Sequence, residues 1–171
     1  GEAAEIESAA GGRAGLIELT GNVAMTSFTL TKLLWVRKNE PDIYERIRHV
    51  LLPKDYVRFR LTGDYAGDVS DMSGTLILDQ RTRDWSDKVI ELFELDRDML
   101  PPVYESHAVT GQVTAAVAEE LGIAPGTPVV GGAGDQPAGA VGNGIVSPGL
   151  VSATMGTSGV VFIHSPDYVT D

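Results

Sequence analysis

The sequence predicts an α/β fold, in which helices and strands alternate along the chain. Apolar residues recur at helical spacing in several segments, and short β-branched runs bounded by glycine or proline lie between them. The 171 residues contain no internal repeat and no low-complexity tract, and 43% of them are hydrophobic against 22% charged. This is the composition of an ordinary globular protein.

The composition narrows the function classes. The sequence has no cysteine, which excludes disulfides, thiolate metal ligands and cysteine nucleophiles and fits a cytoplasmic protein. The formal net charge of −11 argues against a nucleic-acid or membrane partner, because both need a basic face. No apolar run approaches the roughly 18 residues of a membrane span, and the acidic first residues do not resemble a secretory signal.

The charge is unevenly distributed. All 13 basic residues lie in residues 1–97, whereas residues 98–171 hold seven acidic residues and no lysine or arginine. The sequence also has no Walker-type lysine motif. A phosphate bound by the C-terminal part must therefore be held by backbone N–H groups, hydroxyls or a metal, or by side chains from elsewhere.

Helical spacing predicts most elements of the N-terminal half. Residues 1–15 are rich in alanine, glutamate and glycine and predict a frayed helix or a cut end. The elements that follow are a helix over 28–38 capped by Thr26 or Ser27, a second helix opened by Pro41 with Ile43, Ile47 and Val50 on one face, a buried strand over 50–52, and a helix over 54–61 that Gly63 ends.

The polar residues of this half indicate solvent-exposed segments. Basic residues such as Lys54 and Arg58 alternate with acidic ones such as Asp55, which indicates a mixed solvated surface rather than a binding stripe. Residues 63–74 are rich in glycine, aspartate and serine and predict a loop. Its Asp68 and Asp71 could touch a ligand, but we interpret them as solvated turn residues.

Short strands alternate with helices in the C-terminal half. The predicted elements are a strand over 76–78, a helix capped by Asp84 or Ser86, a strand over 111–113, a helix over 114–121 closed by Gly122, a strand over 128–130 and a small-residue helix over 136–143. Two further strands, over 150–155 and 160–163, are joined by a tight turn over 156–159 and predict a hairpin.

Asp135 is the first candidate functional residue. It follows a short apolar strand and four small residues, and ligands of open α/β sheets bind beyond the carboxyl ends of strands. A carboxylate there could accept a hydroxyl proton as a general base, which contributes about 10²–10⁴-fold to a rate. Asp135 could equally be the N-cap of the helix that follows, and the two roles are compatible.

The turn over Gly156, Thr157, Ser158 and Gly159 is the second candidate. A glycine turn can present N–H groups as an anion-binding nest, and two hydroxyls add to it. Without a nearby lysine, this arrangement suits a phosphate whose charge is also met by Mg²⁺. An ordinary hairpin turn explains the same residues.

Other motifs are weak. Gly132 and Gly134 begin like a dinucleotide-binding fingerprint, but Pro137 occupies the third glycine position, so an NAD-dependent oxidoreductase is improbable. Ser158 does not lie in a G-x-S-x-G hydrolase elbow. The three histidines, His49, His107 and His164, lack the spacing of metal ligands.

Several runs, taken in order, resemble the FGGY family of carbohydrate kinases. They are KLLWV at 32–36, LLPKDY at 51–56, RDWS at 83–86, GAGDQ at 132–136 and MGTSG at 155–159. The first three are typical of the branch that phosphorylates D-xylulose. The resemblance implies a fragment of an actin/hexokinase/Hsp70-like (ribonuclease H-like) fold, whose two domains flank a cleft. Residues 1–146 would be the later part of the N-terminal domain and residues 147–171 the start of the C-terminal domain.

The resemblance also implies roles for individual residues. Asp135 matches the catalytic aspartate that deprotonates the acceptor hydroxyl of the sugar, and Gln136 beside it matches a substrate-contacting position. The turn 156–159 matches the second phosphate-binding hairpin, so that Gly156, Thr157, Ser158 and Gly159 would face the phosphates of ATP. The implied co-substrate is ATP with Mg²⁺.

The implied activity is ATP-dependent phosphorylation of a ketopentose, D-xylulose in this branch, to its 5-phosphate. The family's N-terminal Asp-x-Gly-Thr hairpin, its Met-His-Gly sugar segment and its adenosine site are not in this sequence, so we expect the 171 residues alone to be inactive. Two alternatives stay open: a kinase for glycerol, ribulose or gluconate, and a non-catalytic nucleotide- or sugar-binding module. The expected partners are a sugar and ATP, and a homodimer is compatible with the resemblance.

Overall fold

The structure is a computed structural model that describes residues 1–156 and 159–170. The chain divides into two compact units, Gly1–Gly132 and a smaller unit that begins at Ala133. Helices alternate with short strands through both units, which confirms the predicted α/β class. The described strands form two-stranded sheets, of which one is parallel and three are antiparallel.

The N-terminal segment is not a frayed end. It forms α1 (Glu2–Ala9) and α2 (Arg13–Thr20), and Ile6 and Leu16 are fully buried in the core of the first unit. The expectation of fraying is therefore wrong. Single apolar residues in an alanine-rich segment gave little periodicity, yet each fills a core position.

The next two helices are confirmed, with different boundaries. α3 (Thr29–Asn39) buries Leu30, Leu33 and Leu34, but its N-cap is Phe28 rather than Thr26 or Ser27. α4 (Pro41–Tyr44) begins at Pro41 as predicted and ends after four residues. The shared face predicted through Ile47 and Val50 does not form, because the chain leaves the helix before reaching them.

The predicted strand over 50–52 is absent from the described residues. Val50 donates one backbone hydrogen bond to the carbonyl of Met99 (2.8 Å), and Val50 and Leu52 pack at the edge of the core. An apolar run of three residues identifies burial, not strand geometry. The helix after it is confirmed as α5 (Pro53–Thr62), which Gly63 ends in the left-handed region at φ 81°.

The predicted loop over 63–74 is largely regular structure. It contains β1 (Gly67–Asp68), α6 (Val69–Met72) and a 3-10 turn over Ser73–Thr75. Asp68 caps α6 by accepting a hydrogen bond from the backbone N–H of Ser70 (2.9 Å). β1 pairs in parallel with β4 (Val103–Tyr104), which fixes this segment inside the unit.

The predicted elements of the rest of the first unit occur in the predicted order, although the strand expected over 76–78 lies at Leu78–Asp79 and one further strand and a 3-10 turn are present. β2 (Leu78–Asp79) pairs with β3 (Asp84–Trp85), and Ser86 caps α7 (Asp87–Leu92), which a 3-10 turn over Arg97–Met99 follows. β5 (Val109–Gln112) pairs with β6 (Pro128–Val130), and α8 (Ala115–Leu121) between them has Thr114 as its N-cap and Gly122 after its last turn.

One hydrophobic core holds these elements together. Its fully buried members are Ile6, Leu16, Leu30, Met72, Leu76, Ile77, Leu78 and Val89. Trp85 lies at its border and donates from Nε1 to the carbonyl of Pro101 (2.7 Å), which satisfies its buried polar atom.

The smaller unit contains α9 (Asp135–Gly142) and a hairpin of β7 (Val151–Met155) and β8 (Gly159–Ile163). The two strands pair without a shift from Val151 opposite Ile163 to Met155 opposite Gly159. The predicted hairpin is thus confirmed. Across the described part of the chain, no helix has the length and apolar character needed to span a membrane.

Candidate functional site

Asp135 is the first residue of α9. Gly134 occupies the N-cap position, so Asp135 is not the N-cap that one interpretation made it. Its side chain is exposed, and Oδ1 accepts a hydrogen bond from the backbone N–H of Gln136 (2.8 Å). The arrangement orients the carboxylate at the start of a helix and leaves it accessible to a ligand.

Gly156 and Gly159 flank the tip of the β7–β8 hairpin. Gly159 is paired with Met155, and Gly156 is exposed beyond the last strand pair. Thr157 and Ser158, the two predicted hydroxyl-bearing residues, lie outside the described residues. Asp135, Gln136 and the hairpin all belong to the smaller unit. Their roles stay predictions.

A buried ionic cluster in the first unit was not predicted. We call Lys54, Asp55 and Asp68 the Lys54 cluster. Lys54 Nζ lies 2.6 Å from Asp55 Oδ1 and 2.7 Å from Asp68 Oδ1. Both carboxylates are fully buried, and the lysine side chain is 25% exposed. The interpretation of these residues as a solvated surface and a solvated turn is therefore wrong.

Two serine hydroxyls bind one oxygen of Asp68. Its Oδ2 accepts from the hydroxyls of Ser70 (2.5 Å) and Ser106 (2.7 Å). Among the described residues, each carboxylate keeps one buried oxygen without a hydrogen-bond partner: Oδ2 of Asp55, and Oδ1 of Asp68, which meets Lys54 as an ion pair. Asp71 lies at the margin, 3.8 Å from Lys54 Nζ.

The cluster shifts the pKa values of its two buried carboxyls in opposite directions. Burial, the largest cause, raises the pKa of Asp55 above its ordinary value despite the hydrogen bond from Lys54. Burial also opposes ionisation of Asp68, but the charge of Lys54 and the hydrogen bonds from Ser70 and Ser106 outweigh it and lower the pKa of Asp68. Burial opposes the charge of Lys54 as well, yet its two carboxylate partners raise the pKa of Lys54.

Arg58 is the second buried charged residue of α5, after Asp55. Its Nη1 donates to the Thr110 hydroxyl (3.0 Å) and its Nη2 to the carbonyl of Asp64 (2.5 Å). Asp55, Arg58 and Thr62 are the buried residues of α5, whereas Tyr56 and Val57 are half exposed. Helical spacing could have placed the three polar residues on one face. It could not show that this face points inward.

The cluster also reaches the glycines that precede Asp135. Lys54 Nζ donates to the carbonyl of Gly131 (3.1 Å), and the Gly132 N–H donates to the carbonyl of Ser106 (3.0 Å). Gly132 has φ +80°, and a Cβ on it would lie 3.1 Å from Lys54 Cδ. Glycine is required here for both its conformation and its lack of a side chain.

Gly132→Ala is expected to destabilise the protein by about 1–2 kcal/mol, because an L-residue is strained in the left-handed region. Displacement of the Lys54 side chain would add to this cost. Gly139→Ala is the matched control: it lies inside α9 with no atom within 4 Å of the added Cβ, and should stabilise by about 0.5–1 kcal/mol. Urea denaturation measures the free energy of unfolding of both variants. Changes of the same sign in the two variants would contradict the prediction.

Asp68→Asn is expected to change the acid limb of the stability curve. The lowered pKa of Asp68 contributes stability that is present above its unfolded pKa, about 3.9, and is lost as pH falls through its folded pKa. The melting-temperature difference between wild type and Asp68→Asn should therefore be largest near neutral pH and shrink below about pH 4. A pH-independent difference would show that ionisation of Asp68 does not stabilise the fold.

Comparison with protein families gives a match over most of the chain. The model of the FGGY family of carbohydrate kinases, N-terminal domain, matches residues 2–142. The xylulose kinase of Escherichia coli (strain K12) is 47% identical over 152 residues, which are 89% of this chain and 31% of that protein. The chain thus spans about a third of the length of the curated relatives it matches.

Solved structures give the same picture. A crystal structure of a xyloylose kinase from Brucella ovis has a TM-score of 0.86 and 42% identity, over 94% of this chain and 32% of that one. A xylulose kinase from Rhodospirillum rubrum has a TM-score of 0.87 and 29% identity, over 94% of this chain and 33% of that one. The fold described above is therefore that of one part of these larger proteins.

Proposed function

Because the chain belongs to the FGGY family of carbohydrate kinases, we propose that the protein containing it uses ATP to phosphorylate D-xylulose, giving D-xylulose 5-phosphate. The observation that carries this proposal is the 47% identity to a xylulose kinase across 89% of the chain. The shared length supports residues 1–146 as part of the N-terminal domain and residues 147–171 as the beginning of the C-terminal domain of such an enzyme.

Asp135 is the proposed general base. Its exposed carboxylate takes the proton of the terminal sugar hydroxyl, that oxygen forms a bond to the γ-phosphorus, and the bond from phosphorus to the β–γ bridging oxygen breaks to release ADP. Gln136, the next residue of α9, contacts the sugar. The hydrogen bond that the Gln136 N–H donates to Asp135 supports the role of Asp135 as the base, because it orients the carboxylate.

The hairpin tip is the proposed phosphate site. Gly156 and Gly159, with Thr157 and Ser158, offer backbone N–H groups and hydroxyls to the phosphates of ATP. Mg²⁺ bound to these phosphates would neutralise the charge that develops during transfer. The described residues hold no cluster of three metal-ligating side chains. A nucleotide-borne Mg²⁺ needs only one or two protein carboxylates, so the chain's residues fit it in this form.

ADP release from ATP·Mg²⁺ tests the proposal on the whole protein, with D-xylulose, D-ribulose, L-ribulose, glycerol and gluconate as acceptors. We expect the largest kcat/KM with D-xylulose and no ADP without sugar. Preference for another acceptor would show that the proposed substrate is wrong, but would leave the proposed phosphoryl transfer standing. Binding of ATP or sugar without turnover would show that the protein is a non-catalytic binding module and not a kinase.

The 171 residues alone should show no sugar-dependent ADP release, since they span about a third of their relatives. Turnover by this chain would contradict the proposed division of the site between it and the rest of the enzyme. The proposed enzyme draws on ATP and a free sugar, both of which are cytoplasmic, and this supports a cytoplasmic location.

A further inference from the structure

Asn143 is the one asparagine of the chain that a glycine follows. The other two, Asn22 and Asn39, precede valine and glutamate. The side-chain carbonyl carbon of an asparagine can be attacked by the backbone nitrogen of the next residue. A glycine leaves that nitrogen unobstructed, because it has no Cβ and the greatest backbone freedom. The chemical requirements for this attack are therefore best met at Asn143.

The groups that would react are engaged in hydrogen bonds at the end of α9. Asn143 directly follows the helix and is exposed, and its side-chain Nδ2 donates to the carbonyl of Gly139 (2.7 Å). The Gly144 N–H donates to the carbonyl of Val141 (3.0 Å). Both hydrogen bonds belong to the last turn of the helix, so this turn must open before the Gly144 nitrogen can reach the side chain of Asn143.

The last turn of α9 has little to keep it closed. Gly139 and Gly142 lie within the helix, where a glycine costs stability relative to alanine. Ala140 is buried, but its neighbours Gly139 and Val141 are exposed. Helix ends with few buried contacts and exposed hydrogen bonds open at much lower free energy than the whole fold. The two hydrogen bonds that hold the reacting groups are therefore broken in a fraction of the molecules at any time.

We propose that Asn143 is a site of spontaneous deamidation, and that opening of the last turn of α9 sets its rate. The Gly144 nitrogen forms a bond to Asn143 Cγ, the bond from Cγ to Nδ2 breaks, and the proton of the Gly144 N–H leaves with Nδ2 as ammonia. Water then adds across one of the two carbonyl–nitrogen bonds of the cyclic imide. One cleavage gives aspartate at position 143, and the other gives isoaspartate, which places an extra carbon in the main chain.

Either product changes the end of α9. The new carboxylate puts a negative charge at the C-terminal end of a helix, where the macrodipole disfavours it. It also lacks the Nδ2–H group that donates to the Gly139 carbonyl. Deamidation should therefore loosen the last turn and give a more acidic form of the protein that ion-exchange chromatography separates.

Incubation of the whole protein in mildly alkaline buffer tests the proposal, with ammonia release and peptide mass spectrometry as readouts. We expect Asn143 to convert to aspartate and isoaspartate with release of an equal amount of ammonia. Asn39 is the matched internal control. It is exposed at the end of α3, and its Nδ2 also donates to a carbonyl of the preceding turn, that of Trp35 (2.8 Å), but Glu40 follows it. An intact Asn143, or equal conversion of Asn39, would overturn the proposal.

Asn143→Gln is the matched variant, because it keeps a side-chain amide and moves its carbonyl carbon one bond further from the Gly144 nitrogen. It should lose the ammonia that comes from position 143 and the more acidic form. An acidic form that accumulates in Asn143→Gln as fast as in wild type would overturn the assignment to Asn143.

Two comparisons test the role of the helix end. Gly139→Ala favours the helix and adds a Cβ with no atom within 4 Å, so it should slow the conversion of Asn143 by about 2–5-fold. A peptide of residues 139–147 is too short to hold the turn and should convert about 10–10²-fold faster than the protein, as expected for the loss of two net hydrogen bonds. Equal rates in the protein and the peptide would overturn the control by α9. These measurements need no sugar or ATP, so a failure of the proposed kinase activity would leave them unaffected.

Discussion

Asp135→Asn in the whole protein should lower kcat for sugar phosphorylation by about 10²–10⁴-fold, because an amide cannot accept the hydroxyl proton. Asparagine keeps the size of the side chain, and its oxygen can still accept from the Gln136 N–H, so the start of α9 should be preserved. ATP affinity should be nearly unchanged. Steady-state ADP release and nucleotide titration measure the two quantities.

Asp167→Asn is the matched control for this prediction. Asp167 is an exposed aspartate of the same unit, and its backbone rather than its carboxylate makes the local hydrogen bonds. The control should turn over sugar at the wild-type rate. Near-wild-type turnover in Asp135→Asn would refute the assignment of the base, and equal losses in both variants would point to a general charge effect.

Ile6→Ala should destabilise the protein by about 2–5 kcal/mol, because the deleted atoms leave a cavity in a core that cannot fully collapse. Ile6 lies in α1 and is fully buried, although its segment looks like a frayed end in the sequence. Urea denaturation of the purified protein measures the change.

Ile43→Ala makes the same substitution on α4, where Ile43 is 45% exposed, and should change stability by less than about 0.5 kcal/mol. Indistinguishable effects of the two variants would show that the N-terminal helices do not belong to the core. A large loss only at Ile6 confirms that the first residues of this chain are part of the folded unit.

Local patterns predicted the elements whose causes are local. The helix α5 has Pro53 in its first turn and Gly63 at its end, and α8 has Thr114 and Gly122 in the corresponding places. The β7–β8 hairpin likewise follows from β-branched runs around a glycine turn. Each of these signals acts within a few residues of the element it shapes.

The buried charges could not be predicted in this way. Asp68 lies in a glycine- and serine-rich segment that reads as a solvated loop, and its burial depends on Lys54 and on Ser106, which is 38 residues further along the chain. The same holds for Arg58, which is paired with Thr110 at a separation of 52 residues. Polar residues are predicted to be exposed unless their distant partners are known.

The candidate site could be predicted from the sequence only in part. The short strand, the small residues and Asp135 indicated a ligand-binding carboxylate, and the resemblance supplied the sugar and ATP. Residue spacing alone left the N-cap role open, which the structure resolves by placing Gly134 there. Nothing in the sequence indicated that Lys54, 77 residues before Gly131, would hold its carbonyl.

Phosphate transfer to the sugar is tested by ³¹P NMR of the product that the whole protein forms from D-xylulose and ATP·Mg²⁺. We expect a phosphomonoester on the terminal hydroxyl of the sugar, formed in equal amount with ADP and lost in Asp135→Asn. Release of inorganic phosphate alone, or a phosphoester on another hydroxyl, would contradict the proposed transfer from ATP to the hydroxyl that Asp135 is proposed to deprotonate.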